Sequence, residues 1–279
     1  MDIVRFYRNE ILKAKEHFDD YGFVIIKDAF DNQLLDGFKK EFALIIRAYL
    51  KKAGIIEEIP FDQLFHKGME LLEAKDRTYI GAVYDTISLS PPFLRIISNY
   101  LTEQLVRVLL GDPNAPLYGF TNRCLFAPPT DERRTYGWHQ EVFYTVPRGK
   151  YIQTWAPLIS GSSILNGTIE IAPCSHKEGI AKQQWNEVAG RTTQIIIDDM
   201  IMDKYEKCAV EMELGELLLF SGFLAHRSGT NTSNQHRYSL VGMYHDVSNK
   251  EFITPSLRFN FRGETPREFY EKSFPESSK

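Results

Sequence analysis

YIQTWAPL, residues 151–158, mixes apolar and polar side chains in near alternation. Successive side chains of a β-strand point to opposite faces, so this stretch predicts a strand. It has company. From about residue 117 short strand-like runs alternate with turns, at 117–126, 137–146, 168–172, 208–213, 215–221 and 237–245. Many short strands at close spacing predict a sandwich or barrel. A jelly roll, two facing antiparallel sheets, is one way to arrange about eight of them.

The first third has a different texture. Val4, Tyr7, Ile11, Ala14 and Phe18 recur at helical spacing. The apolar run Phe23-Val-Ile-Ile26 predicts a strand. Leu34, Leu35, Phe38, Phe42, Ile45, Ile46 and Tyr49 return to the helical period. A third helix has marked ends: Ser90 as cap, Pro91 in the first turn, a stripe from Leu94 to Val108, and Gly111-Asp-Pro113 as the stop. Residues 61–74 are a weaker helical stretch. No linker divides the halves, so the helices are expected to cover the outside of one sheet. A single domain over 1–279 is predicted: a mainly helical part over 1–115, a jelly-roll core over 116–247 interrupted by an insertion at 177–207, and a C-terminal extension over 248–279. The insertion holds Ile195-Ile-Ile197 between charged flanks and reads equally as an active-site lid or a surface excursion.

Composition narrows the function classes. The 279 residues are 43% hydrophobic and 25% charged, ordinary for a globular protein large enough to bury a core without disulfides. A net charge of −4 gives no basic excess of the kind that accompanies nucleic-acid binding. The three cysteines, Cys124, Cys174 and Cys208, are too few and too scattered for a disulfide scaffold, which fits a reducing, cytoplasmic setting. The charged N-terminal residues predict no secretory leader, and no apolar run reaches membrane-spanning length. Asn166-Gly-Thr and Asn231-Thr-Ser read as turns.

Chemistry concentrates in GWHQEVFYTV, residues 137–146. On a strand His139 and Glu141 share a face and Gln140 points the other way. That pair is half of a metal site or a polar strand face wetted by solvent. Of the other histidines, His17 and His66 lie in helical parts and are expected at the surface. His226 closes the apolar stretch that begins at Gly215, and a turn-rich segment leads from it to Arg237. If that segment is a hairpin-like connection centred on Asn231 and Thr232, His226 faces Arg237 with Cβ atoms about 5 Å apart. Ser228 and Ser239, each two residues further on, then share the face. Two histidines and one carboxylate occupy three adjacent corners around Fe(II) and leave three open. A keto acid with two carboxylates can chelate two of these, and its distal carboxylate suits an arginine fork.

In this order the residues resemble the phytanoyl-CoA dioxygenase family of Fe(II)/2-oxoglutarate-dependent oxygenases. The resemblance runs from about residue 16 to 246. It rests on Phe18-Asp-Asp-Tyr-Gly-Phe-Val-Ile-Ile26, on Trp138-His-Gln-Glu141, on Asn166-Gly-Thr-Ile-Glu-Ile-Ala-Pro-Cys-Ser-His-Lys-Glu-Gly179, on Gly215-Glu-Leu-Leu-Leu-Phe220, on His226-Arg-Ser-Gly229, and on Arg237 eleven residues after His226. It implies a mostly β fold, a cupin-like double-stranded β-helix with N-terminal helices packed on one sheet. It implies His139, Glu141 and His226 as iron ligands, Arg237 as the partner of the distal carboxylate of 2-oxoglutarate, and Ser228 and Trp155 beside that cosubstrate; Ser239 is added from the strand-face argument. His176 is read as a loop-stabilising residue. The implied activity is an O₂-dependent dioxygenase that oxidises an unactivated C–H of a small molecule, with no nucleic-acid or membrane partner. Tyr136, Tyr144, Arg123 and the 177–207 stretch are candidates for the substrate side, against a core or surface role for each.

Two departures stand out. Glu141 replaces the usual aspartate, and Cys174 replaces the usual glycine, which leaves the local backbone in doubt. The retained carboxylate argues against a halogenase. A non-catalytic jelly-roll binding module, or a divalent-metal hydrolase or isomerase using the same three residues, remain as alternatives.

Overall fold

The computed structural model describes residues 3–131, 135–143, 150–187 and 193–252. Two sheets face each other. The larger runs, in spatial order, β1 (Arg5–Phe6), β2 (Phe23–Ile26), β9 (Leu217–Ser221), β4 (Tyr151–Pro157), β11 (Arg237–Asp246) and β3 (Leu117–Ala127). The smaller runs β10 (His226–Ser228), β5 (Ile169–Ile171) and β8 (Cys208–Ala209). Between them lie Phe23, Ile25, Trp155, Ile171, Leu218, Phe220 and Val241. The outcome is the expected jelly-roll architecture.

Alternation assigns the two faces. On β11 Tyr238 and Leu240 point outward to the helices, while Val241 packs between the sheets. Arg237 and Ser239 share the Val241 face, because residues two apart on a strand do. Helices cover the outer face, α2 (Asn32–Lys52) among them. Asp31 caps it, accepting from the Leu34 amide at 2.6 Å, and Lys51 and Lys52 sit in the last turn, where the helix dipole favours cations. Its apolar stripe buries Phe38, Phe42 and Ile46. Phe42 meets Phe126 of β3 at 5.7 Å and Tyr238 of β11 at 5.0 Å between ring centroids.

Several elements differ from the sequence expectation. Arg5–Phe6 is a strand, and α1 spans Ile11–Tyr21. Gly22 ends it at φ +83°, and a Cβ there would lie 2.4 Å from His176 Nδ1, so this position needs glycine twice over. Residues 61–75 form a 3₁₀ turn, a π turn and α3 (Met69–Lys75) in succession. The helix α4 (Thr78–Ser88) was not foreseen. The single helix expected from Ser90 to Gly111 is two. Ser90 does cap α5 (Pro91–Ile97), but Ser98 turns its hydroxyl back to the Leu94 carbonyl at 2.6 Å. Asn99 then caps α6 (Tyr100–Leu110), accepting from Leu101 at 2.8 Å. His17 and His66 are half-buried, not at the surface: His17 packs among the Phe6, Tyr21 and Phe23 rings, and His66 Nδ1 stands 3.0 Å from His236 Nδ1.

The described part of 177–207 is no plain surface excursion. It forms the ribbon β6 (Gln183–Asn186) and β7 (Gln194–Ile197) and the turn α7 (Asp199–Met202). Ile195, Ile197 and Met202 are buried against Trp138, Val142 and Phe143. Tyr144, the end of the 137–146 run and most of 248–279 lie outside the described residues. Among the described residues, no helix is long and apolar enough to cross a membrane.

Candidate metal centre

Over the described residues 137–143 the chain does not form the expected strand. His139 makes a two-sided bridge to His226: each backbone N–H donates to the other's carbonyl, at 2.9 and 3.0 Å. The chain then turns at once into a 3₁₀ turn over Glu141–Phe143. Glu141 therefore reaches His139 through a tight turn and not through strand alternation. His226 lies beside His139, not beside Arg237. The hairpin register fails because β10 pairs with β5 in the smaller sheet, while β11 pairs with β3 and β4 in the larger. The segment between them crosses from one sheet to the other, so Arg237 approaches the site from the opposite wall.

The outcome still brings the three donors together. One ligand atom from each of His139, Glu141 and His226 lies within 4.8 Å of the others, and all three side chains are buried. Glu141 Oε2 is 3.8 Å from His139 Nε2 and 3.9 Å from His226 Nε2. Two donors that each bond one ion at about 2.1 Å stand at most about 4.2 Å apart, and both carboxylate–imidazole distances fall inside that limit. The rings are also oriented for it. His139 Nδ1 faces the Gly137 carbonyl at 2.8 Å and His226 Nδ1 the Leu224 carbonyl at 2.9 Å. A carbonyl only accepts, so both Nδ1 atoms carry the proton and both Nε2 lone pairs are left for a ligand.

Electrostatics agree with the geometry. Burial works to raise the Glu141 carboxyl, but His139, then His226 and Arg123, outweigh it and hold the carboxyl below its ordinary value. Burial first, then His139, pushes the His226 imidazole down to about 3. At neutral pH the site thus holds an ionised carboxylate and a neutral imidazole, the forms a cation requires.

Arg237 is buried among Trp155, Ser239 and Asn166. Its guanidinium lies 5.4 Å from the centre of the Trp155 ring. Nε donates to the Asn166 carbonyl at 3.1 Å, and Nη1 donates to the Ser239 hydroxyl. No carboxylate among the described residues pairs with it, and burial lowers its pKa to about 10. Ser228 is two residues past His226 on β10 and shares its face.

Two residues outside the sequence prediction support the cluster. Gln153 lies on β4 two positions before Trp155 and donates to Glu141 Oε2 at 3.3 Å. Its signal was a polar residue on the same strand face as Trp155. Gln140 is fully bonded: its amide donates to the Gly179 and Phe223 carbonyls at 2.8 and 2.6 Å and accepts from Ala181 at 2.9 Å. It thereby ties the His139–Phe143 segment to residues 179–181 and to the β9–β10 turn. Cys174 keeps the turn that a glycine would make, with φ +67°, and His176 closes over Gly22 as the loop residue it was expected to be.

The sequence profile of the phytanoyl-CoA dioxygenase (PhyH) family matches residues 18–239. The chain belongs to the phytanoyl-CoA dioxygenase family. A 1-deoxypentalenic acid 11-beta-hydroxylase of Streptomyces exfoliatus is 22% identical over 229 residues, covering 77% of this chain and 73% of the relative. The fold is shared with EvdO2 of Micromonospora carbonacea var. aurantiaca, solved with 2-oxoglutarate, at TM-score 0.55 and 16% identity over 88% of this chain and 94% of that one. It is shared also with EctD of S. alaskensis, solved with bound Fe, at TM-score 0.58 and 18% identity over 85% of this chain and 77% of that one. As a PhyH-family protein the chain is a non-haem iron oxygenase dependent on 2-oxoglutarate and acting on small molecules.

Proposed function

We propose that His139, Glu141 and His226 hold the Fe(II), that Arg237 receives the distal carboxylate of 2-oxoglutarate, and that Ser239, Ser228 and Trp155 line that end of the cosubstrate site. The reading extends to one oxygenase domain over the chain, working in the cytoplasm on a small molecule without a nucleic-acid or membrane partner. The observation that carries it is Arg237. A guanidinium out of water without an anion is costly, and a chain that keeps one on the wall facing a three-donor cluster has a use for the charge. A dicarboxylate with its keto-acid end at the cluster supplies the missing anion.

The protein's own residues do four things. The two Nδ1–H···O=C bonds fix the imidazoles, so both Nε2 atoms face inward with no rotation on binding. Gln153 holds Glu141 Oε2, which limits the extra freedom of a glutamate in place of an aspartate. Arg237, held at Nε and Nη1, offers its remaining N–H groups as a fork to a carboxylate. The packed layer of Trp138, Val142, Phe143, Ile195 and Ile197 keeps water from the back of the cluster. Iron bound here, with 2-oxoglutarate and O₂, supplies an oxidant strong enough for an unactivated C–H bond, with succinate and CO₂ released.

The test is succinate release from 2-oxoglutarate with added Fe(II), with and without Glu141→Ala. Wild type should release succinate only with iron and O₂, and the variant should lose at least about a hundredfold. Turnover supported by zinc without O₂ would point to hydrolase or isomerase chemistry. No metal-dependent succinate across a broad substrate panel would point to a binding module.

A further inference from the structure

The wall opposite β10 carries a second arginine. Arg123 of β3 lies directly across from Val241, which in turn faces Trp155 on β4. Residues paired this way share a face, so Arg123 rises from the same face as Arg237, Ser239 and Trp155. Its charge reaches the donor cluster: it acts on the Glu141 carboxyl and on the Tyr136 phenol, whose ring stands 5.5 Å from His139. Yet Arg123 comes within ion-pair distance of no carboxylate among the described residues. Its Nε is buried with no hydrogen-bond acceptor. A buried N–H without an acceptor forfeits the full desolvation cost of that group.

Charge balance says what is missing. Once the iron and cosubstrate reading is accepted, a divalent ion, one carboxylate, a dianionic cosubstrate and Arg237 cancel. Arg123 is then a surplus positive charge beside the reacting centre. One negative charge is required, and a planar two-oxygen anion matches the fork of a guanidinium better than a spherical one. A phosphate dianion would leave the balance negative.

We propose that Arg123 anchors a carboxylate on the substrate, so that this enzyme acts on small organic monocarboxylic acids. This inference rests on the oxygenase reading above. The carboxylate sits at β3, and the carbon to be oxidised lies between it and the cluster. The same guanidinium chemistry could instead serve the 1-carboxylate of 2-oxoglutarate, and the experiment separates the two.

The experiment is calorimetric titration of the full chain loaded with Mn(II), which permits binding without turnover. 2-Oxoglutarate is titrated first. Octanoate, cyclohexanecarboxylate, phenylacetate and N-acetyl-leucine follow, each beside its primary amide. Wild type should bind 2-oxoglutarate and should bind at least one acid about tenfold or more tighter than its amide. Arg123→Gln should lose that preference while its 2-oxoglutarate Kd stays within about twofold, and Arg123→Lys should keep a reduced preference. The proposal is overturned by equal binding of acids and amides, by no acid binding at all, or by a preference that survives Arg123→Gln. Loss of 2-oxoglutarate binding in Arg123→Gln overturns it in favour of the cosubstrate. Wild type that fails to bind 2-oxoglutarate overturns the oxygenase reading itself, a result distinct from all of these.

Discussion

Replacing Arg237 with methionine should separate two quantities that usually fall together, cosubstrate affinity and fold stability. Burial lowers the Arg237 guanidinium from its ordinary value to about 10. The folded state therefore releases this proton more readily than the unfolded chain does, so the charged form opposes folding at neutral pH, and the opposition fades as pH rises through about 10. At about 1.4 kcal/mol per pH unit the opposition is about 3 kcal/mol. Methionine fills much of the volume and carries no charge. It also removes the bonds to Asn166 and Ser239, worth about 1 kcal/mol each. The variant without ligand should then be as stable as wild type, or more stable by about 1 kcal/mol. Binding moves the other way. Two charge-assisted hydrogen bonds to a carboxylate contribute about 3–6 kcal/mol, so the 2-oxoglutarate Kd should rise at least about a hundredfold. The assay is urea or thermal unfolding of the manganese-loaded protein with and without 2-oxoglutarate. At a hundred times the wild-type Kd the ligand adds about 2.7 kcal/mol to wild type and under about 0.5 kcal/mol to the variant. A variant that keeps the full ligand-induced gain, or that loses several kcal/mol without ligand, would refute the role assigned to this side chain.

Gln140→Leu should destabilise by about 2 kcal/mol, because it leaves two part-buried carbonyls and one part-buried N–H without their partner; an unchanged urea midpoint would contradict this. Gly22→Ala should cost more than the about 1–2 kcal/mol of a left-handed backbone alone, since its methyl meets His176 and Leu224, and relief of that cost by His176→Ala in the double variant is the expected signature. Phe42→Ala should cost about 3–5 kcal/mol while metal affinity stays near wild type, because the ring packs on the helix side of the larger sheet; a parallel loss of metal binding would show that the two faces are not independent.

Much of this arrangement was legible in the sequence, and the failures have physical causes. Strands β2, β4, β9 and β11 announced themselves through composition and alternation. His139, Glu141 and His226 do come together, but not by the route the sequence suggested, and Arg237 comes from the other sheet. His139 and Glu141 looked like a strand pair because H-x-E alternates, yet a 3₁₀ turn brings residues two apart together almost as well. The turn-rich segment after Ser228 says that the chain bends, not which sheet it joins next, so the symmetric hairpin was as consistent with the residues as the crossing that occurs. The split at Ser98 and Asn99 was hidden because an apolar stripe continues across it, and only local side-chain bonds mark the break. Gln140 and Gln153 left almost no signal, since a lone glutamine reads as surface until its partners are known.

β11 is occupied on both sides, with Arg237 and Ser239 inward and Tyr238 and Leu240 outward. Inserting or deleting one residue there would send the guanidinium into oil and the phenol ring toward the donor cluster in a single event. No compensating change elsewhere repairs that swap. Over long descent this strand should therefore tolerate exchange of side chains but not change of length.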